Sequence, residues 1–165
     1  MSVLNYNYKM IINYSFNEIW TIIKNPNNYK RFIDSCENIK IIEKNKKNNL
    51  FYYKATITIS TPIKYINFDC VLKQKSNNEI ILYNLKNDYI DNFNLSWNLS
   101  KINDKKTTVQ LNFELLFYSY TIQLVSIYSR YTIINNLLKN FLNVLYKTFG
   151  KNDNSLNIVF KEIQY

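Results

Sequence analysis

Apolar and polar residues alternate most clearly over residues 107–117 of this chain, where Val, Leu or Phe occupies every odd position from 109 onward. A period of two is typical of a β-strand with one buried face. A pattern with the 3.6-residue period of a helix follows almost directly, over residues 120–149. The two patterns predict a long strand and a long C-terminal helix that bury their apolar faces against each other.

The same two periods predict the remaining elements. Ser15 and Glu18 form a capping-box pattern ahead of an apolar run, which predicts the start of a helix. Asn25 and Pro26 suit the start of a second, short helix. The predicted helices are residues 16–24, 26–32 and 120–149, and the predicted strands are residues 5–12, 37–44, 50–60, 64–75, 79–85, 92–102 and 107–117.

The predicted order is β-α-α-β-β-β-β-β-β-α. Six consecutive strands between helices favour an α+β fold with a curved antiparallel sheet wrapped on the long C-terminal helix. We expect residues 1–150 to form one domain and residues 151–165 to form a partly ordered tail. A sheet and a helix that face each other with apolar side chains favour an enclosed apolar cavity, which suits a greasy ligand.

Composition narrows the chemistry. The 165 residues include no His, two Cys and one Gly. Triads that need a histidine, His metal sites and Gly-rich phosphate loops are therefore excluded. The 12 carboxylates are scattered. We accordingly expect no bound metal, no cofactor and no catalysis by the protein itself, with both cysteines as free thiols in a reducing compartment.

The net charge is +9, which favours anionic partners such as RNA, ribosomes or an acidic membrane surface. A lysine-rich segment, residues 44–47, lies between two predicted strands, where a solvated hairpin loop is the simpler interpretation. The first ten residues carry no pattern of a signal or transit peptide. We expect a cytoplasmic protein, peripheral to the inner membrane in a bacterium; the matrix side of the mitochondrial inner membrane is the alternative.

Several motifs share one order and spacing with a known family. Residues 14–20 (YSFNEIW) precede residues 25–32 (NPNNYKRF), and strand motifs follow at residues 94–99 (NLSWNL) and 109–115 (VQLNFEL), before the terminal Phe-Gly at 149–150. These motifs resemble the START-like (helix-grip) superfamily, in particular its coenzyme Q-binding and polyketide cyclase/dehydrase-like group. Ser35 replaces a tryptophan that the family usually has before the position of Cys36.

The resemblance implies a helix-grip domain that holds a polyprenyl quinone such as ubiquinone, or a similar lipid, and supports respiratory electron transport without catalysis. It also implies an alternative, because bacterial relatives are toxins that bind the large ribosomal subunit through a basic surface. A cyclase or dehydratase is a third option, but Glu114 alternates outward and no inward carboxylate stands out.

Two sets of candidate residues follow from these interpretations. The candidates for a ribosome-binding or RNA-binding surface are Lys30, Arg31, Lys44, Lys46 and Lys47. The candidates that line the cavity are Phe32, Tyr53, Ala55, Ile57, Phe68, Trp97, Phe113, Phe117, Val125, Tyr128 and Phe141.

Overall fold

One antiparallel sheet and three helices of four or more residues form most of the secondary structure of the described residues. The computed structural model describes residues 4–61, 63–122 and 130–150. A 3-10 turn, Pro26–Asn28, precedes the second helix. The strands are β1 (Leu4–Ile12), β2 (Cys36–Lys47), β3 (Leu50–Ser60), β4 (Tyr65–Gln74), β5 (Glu79–Asn84), β6 (Ile90–Asn103) and β7 (Lys106–Phe117), and the helices are α1 (Phe16–Ile23), α2 (Tyr29–Phe32) and α3 (Arg130–Phe149).

The seven strands form one sheet in the order β1-β7-β6-β5-β4-β3-β2, with every neighbouring pair antiparallel. Strands β2 to β7 follow one another as a meander, and β1 adds to the outer side of β7. Register shifts interrupt the β2–β3 and β6–β7 pairs. Such bulges bend and twist strands, which helps the sheet to curve. The expected α+β helix-grip architecture is confirmed.

Alternation sets the two faces of this sheet. In β7 every second residue from Thr107 to Phe117 is buried, and the residues between them are half-buried. The buried side chains point to the concave face, which α3 covers with Ile134, Leu137 and Phe141. The core therefore lies between the concave face and the helices, as the strand and helix patterns predict.

Local signals place the first helices as expected. The Ser15 backbone N–H donates to Glu18 Oε2 at 2.7 Å, and the Glu18 N–H donates to Ser15 Oγ at 3.3 Å. The Asn27 N–H donates to the Asn25 side chain ahead of the second helical segment. Both caps satisfy backbone donors that lack partners at a helix N-terminus.

The lysine-rich segment differs from its prediction. Lys44, Lys46 and Lys47 belong to β2 itself and not to a loop. The reversal needs only Asn48 and Asn49, whose φ angles of 50° and 63° lie in the left-handed region. Asparagine tolerates this region better than most residues, so two asparagines suffice for a tight hairpin and the strand extends up to them.

The long C-terminal helix is described in part. Residues 120–122 are helical and α3 begins at Arg130, while residues 123–129 lie outside the described residues. The predicted tail, residues 151–165, lies outside them as well. The C-terminal end of α3 is held to the start of α1 because Tyr14 Oη donates to the Gly150 carbonyl oxygen at 2.9 Å.

Replacing Trp97 with alanine should lower the free energy of unfolding by about 3–5 kcal/mol, because its fully buried ring leaves a cavity that the core fills only in part. Urea unfolding followed by circular dichroism measures the change. Trp20, the other tryptophan, is half-buried and stacks on Phe16. Trp20→Ala is therefore the matched control and should cost clearly less. Equal losses for both variants would contradict the placement of Trp97 in the core.

Candidate functional site

Strand register brings aromatic and aliphatic side chains into rows across the concave face. Tyr6 of β1 lies opposite Phe113 of β7, and Phe113 lies opposite Leu95 of β6. The row continues through Leu82 and Leu72 of the next two strands. Since antiparallel partners hold their Cβ atoms about 5 Å apart, these side chains form one continuous apolar surface.

Three of the predicted lining residues meet in one aromatic group, the helix–sheet cluster of Phe32, Trp97 and Phe141. The ring centroids of Trp97 and Phe141 are 4.8 Å apart, and those of Phe32 and Phe141 are 5.7 Å apart. Phe32 and Trp97 also meet edge to face at 6.3 Å. All three side chains are fully buried. They pack against one another, so their role is to hold α2 and α3 onto the sheet.

Tyr29 extends this packing toward β4. Its hydroxyl donates to the Ile23 carbonyl oxygen at 2.8 Å. Burial raises the pKa of Tyr29 far above its usual value, and the neighbouring Trp97 indole N–H offsets part of that rise. Within the described residues Trp97 Nε1 makes no hydrogen bond of full geometry. Tyr29 is therefore a neutral phenol at any physiological pH.

A second group lies on the sheet alone: the concave aromatic cluster of Tyr6, Phe68, Phe93 and Phe113. Phe93 meets Phe68 at 5.9 Å and Phe113 at 6.0 Å, both edge to face. Tyr6 tilts against Phe113 at 6.4 Å. Edge-to-face geometry suits the charge distribution of aromatic rings. The four rings come from four strands, β1, β4, β6 and β7, and form one apolar group on the concave face.

Most of the other lining candidates face the interior as predicted. Ala55, Ile57 and Phe117 are buried, and Tyr53 is half-buried where the concave face meets the edge of the sheet. Val125 and Tyr128 lie outside the described residues. An enclosed cavity between the sheet and the helix stays a prediction.

The candidate list omits two members of the concave aromatic cluster, Tyr6 and Phe93. Both follow the alternation of their strands, Tyr6 with Tyr8 and Met10, and Phe93 with Leu95 and Trp97. That signal was available in the sequence. The alternation cannot show that β1 pairs with β7. This pairing brings Tyr6 next to Phe113, which is more than a hundred residues away in the sequence.

The interior of the described part of the chain holds no buried charged side chain. Thr107 is the one buried polar residue recorded there, and its hydroxyl donates to the Tyr14 carbonyl oxygen at 2.9 Å. Within the same residues, no three His, Cys, Asp or Glu side chains come together as a metal site. Among the described helices, none combines the length and the apolar character that a membrane span requires.

The two cysteines, Cys36 at the start of β2 and Cys70 in β4, are buried free thiols. Burial raises the pKa of Cys36 to about 11, although the nearby charge of Lys30 partly opposes that rise. Burial also raises the pKa of Cys70 to about 12, and the charge of Asp69 adds to the rise. Both groups are protonated at neutral pH, so neither is a ready nucleophile.

The basic candidates fall into two separate groups. Lys30 and Arg31 lie on α2, close to Cys36 at the start of β2, whereas Lys44, Lys46 and Lys47 lie at the far end of that strand. Ten strand residues span about 30 Å, since each advances about 3.3 Å. The five basic candidates therefore form two separate groups and not one compact surface.

With the geometry established, the family of the chain is clear. The model of the family described as polyketide cyclase/dehydrase and lipid transport matches residues 12–139. The chain belongs to this family. Among curated proteins, no sequence matches the chain.

Solved structures show the same fold. The 18 kDa protein CC1736 from Caulobacter crescentus superposes with a TM-score of 0.70 at 12% identity, covering 89% of this chain and 99% of that one. A START superfamily protein from Mycobacterium smegmatis gives 0.69 at 10% identity, with 87% and 97% covered. The Zhui aromatase/cyclase from Streptomyces sp. R1128 gives 0.67 at 8% identity, with 88% and 93% covered. The fold is START-like; identities this low carry no function across.

These findings overturn one expectation. The absence of histidine and of an inward carboxylate led us to expect a protein without catalysis. That expectation is wrong, because the polyketide cyclase/dehydrase family is one of enzymes as well as lipid carriers, and several of the similar structures are aromatase/cyclases. Missing triad residues exclude particular mechanisms, but they do not exclude chemistry that depends on shape and on neutral hydrogen-bond donors.

Native Cys36 should react about 100-fold more slowly with iodoacetamide at pH 8 than an exposed thiol does, because raising a thiol pKa from 9.0 to about 11 cuts its thiolate fraction by that factor. Cys70 should react more slowly still. Mass spectrometry of tryptic peptides measures both rates, and protein unfolded in urea is the control. The native rates should climb as the pH approaches 11. Equal native and unfolded rates at pH 8 would contradict the buried, protonated state.

Proposed function

We propose that the concave face binds a lipid with a planar ring head group, of the polyprenyl quinone class, and that the protein thereby supports ubiquinone function in respiratory electron transport. The observation that carries the proposal is the concave aromatic cluster: buried rings on separate strands, joined edge to face, with no charged side chain buried beside them in the described residues.

Physical chemistry favours an apolar ligand at this face. Each methylene group that leaves water contributes about 0.8 kcal/mol, so an isoprenoid tail gains strongly from an apolar surface of this extent. A charged ligand group buried there would meet no described charge of opposite sign. The free-energy cost of removing that charge from water would therefore not be offset. Ring edges of Phe93 and Phe113 suit the π-face of a planar head group.

Two tyrosines of β1 bring polar groups to the concave aromatic cluster. Tyr6 and Tyr8 are buried neighbours whose rings stack at 6.2 Å, and Tyr6 also contacts Phe113. A phenol is a polar group that carries no charge at neutral pH. A few polar groups among many apolar ones are typical of sites that orient a small ligand.

A polyketide with aromatic rings presents similar chemistry to this face. The family description and the Zhui aromatase/cyclase bring that class of compound into consideration. The distinguishing measurement is mass spectrometry of the small molecules that stay bound during purification. A polyprenyl quinone supports the proposal, whereas a polyketide or its cyclised product would replace it.

The ribosome alternative has less support. It rests on the resemblance to bacterial toxins and on the net charge of +9. Its five candidate contact residues lie in two groups about 30 Å apart along β2. No described feature of either group points to a ribosomal partner, so the concave face remains the better-supported site.

Ala55→Trp should reduce retained quinone at least tenfold. Ala55 faces the interior opposite Cys70 and lies diagonally from Phe68, so a ring at position 55 would occupy the ligand's side of the cluster. Mass spectrometry of bound lipid, normalised to protein, measures the loss. Respiration with ubiquinone should fall in parallel.

Thr56→Trp is the matched control because Thr56 lies on the same strand but faces the opposite side, where it bonds to Asp69. Ala55→Leu adds a smaller side chain and is a second variant in case Ala55→Trp loses quinone only because it unfolds. Thermal unfolding shows whether each variant is folded. Full quinone retention by a folded Ala55→Trp protein would contradict a ligand site at this face.

A further inference from the structure

We propose that the far end of the β2–β3 hairpin, residues 40–53, is a docking surface for an anionic lipid membrane. The proposal concerns the outer part of the hairpin and does not depend on which ligand the concave face binds.

The hairpin is unusually open to solvent. β2 is an edge strand that pairs only with β3 among the described strands, and after Cys36 none of its residues is buried. The first five residues of β3 are half-buried. Among the described residues, the side chains of β2 beyond Ile39 are therefore open to solvent.

Positive charge is concentrated there. Lys40, Lys44, Lys46 and Lys47 stand on one strand, and Glu43 is the single carboxylate among them. None of the four lysines forms an ion pair with the described residues. Exposed lysines without an ion-pair partner attract an anionic surface. Each adds to the affinity for an anionic membrane, and no binding pocket is needed.

Apolar side chains share the strand with these charges. Ile41 and Ile42 are 39% and 52% exposed, and they lie at the register shift between β2 and β3. Lysines on edge strands commonly serve only to prevent aggregation. That role explains the charges but not two large exposed isoleucines beside them. Exposed apolar groups next to lysines are typical of a surface that enters the boundary between lipid head groups and acyl chains.

Two of the four lysines, Lys44 and Lys46, lie on the concave side of the hairpin, whereas Lys40 and Lys47 lie opposite Thr56 and Leu50 on its other side. Lys44 lies opposite Tyr53, with its ammonium 5.6 Å from the ring centroid, and Lys46 lies opposite Phe51. Ile41 lies opposite Ala55. A membrane at the hairpin would therefore adjoin the edge of the apolar face, whereas isoleucine side chains gain nothing from the phosphates of an RNA.

The test is flotation of the full chain with vesicles of phosphatidylcholine alone and of phosphatidylcholine mixed with phosphatidylserine. We expect binding to the mixed vesicles, weakening as salt rises because the lysines are exposed. The triple variant Lys44→Glu/Lys46→Glu/Lys47→Glu should lose roughly 100-fold or more in partitioning, from three lysines near an anionic surface. Ile41→Ser/Ile42→Ser should weaken the binding that remains at high salt.

The matched control is Lys9→Glu/Lys105→Glu/Lys106→Glu, which changes net charge equally at exposed residues of β1, the β6–β7 turn and the start of β7, toward the opposite edge of the sheet. This control should keep most of its binding. Equal losses in the two triple variants would overturn the proposal in favour of net charge alone. Absence of vesicle binding by the unaltered protein, or lysine-dependent binding of RNA without any effect of the isoleucine changes, would overturn it as well.

Discussion

The contact between α3 and the sheet at Trp97 is the constraint on which the rest of this structure depends. A curved sheet with one apolar face is unstable in water until something covers that face. Phe141 of α3 and Phe32 of α2 both pack on the Trp97 ring. Asn140 Nδ2 donates to the Phe32 carbonyl oxygen, so the two helices are also joined by a hydrogen bond. This anchor fixes where α3 crosses. The concave aromatic cluster is a separate group of rings, with Phe93 on the same strand as Trp97 and its other members on β1, β4 and β7.

Local pattern was enough to predict most of the described elements and their faces. The alternation around Phe113 and Trp97 correctly assigned inward residues, and the Ser15 capping box correctly placed α1. These signals are local because side-chain direction along a strand repeats every two residues and a capping box spans only four residues. The lysine-rich end of β2 was misassigned for a local reason too: Asn48 and Asn49 complete the turn within two residues, so no longer loop was needed.

The contacts between particular interior side chains could not be predicted from the local pattern. Alternation places Phe32, Phe68 and Trp97 in the interior, but it cannot show that Trp97 contacts two helices while Phe68 contacts Phe93. Those contacts depend on strand register and on where α3 crosses the sheet, which are properties of the whole chain. The mistaken expectation about catalysis has a different origin, since residue types that are missing exclude mechanisms but not activities.

One strand pair joins the two surfaces of functional interest. Along β3, exposure decreases from the half-buried Phe51 and Tyr53 at the hairpin end to the buried Ala55 and Ile57. The partner strand supplies lysines opposite the first two and Ile41 opposite Ala55. A ligand that moved along this pair would pass from a charged, wet surface to an apolar, dry one without crossing another element. If the hairpin docks on a membrane as proposed, it would supply a continuous route from the lipid surface to the concave face, with attraction by charge at one end and burial of apolar area at the other.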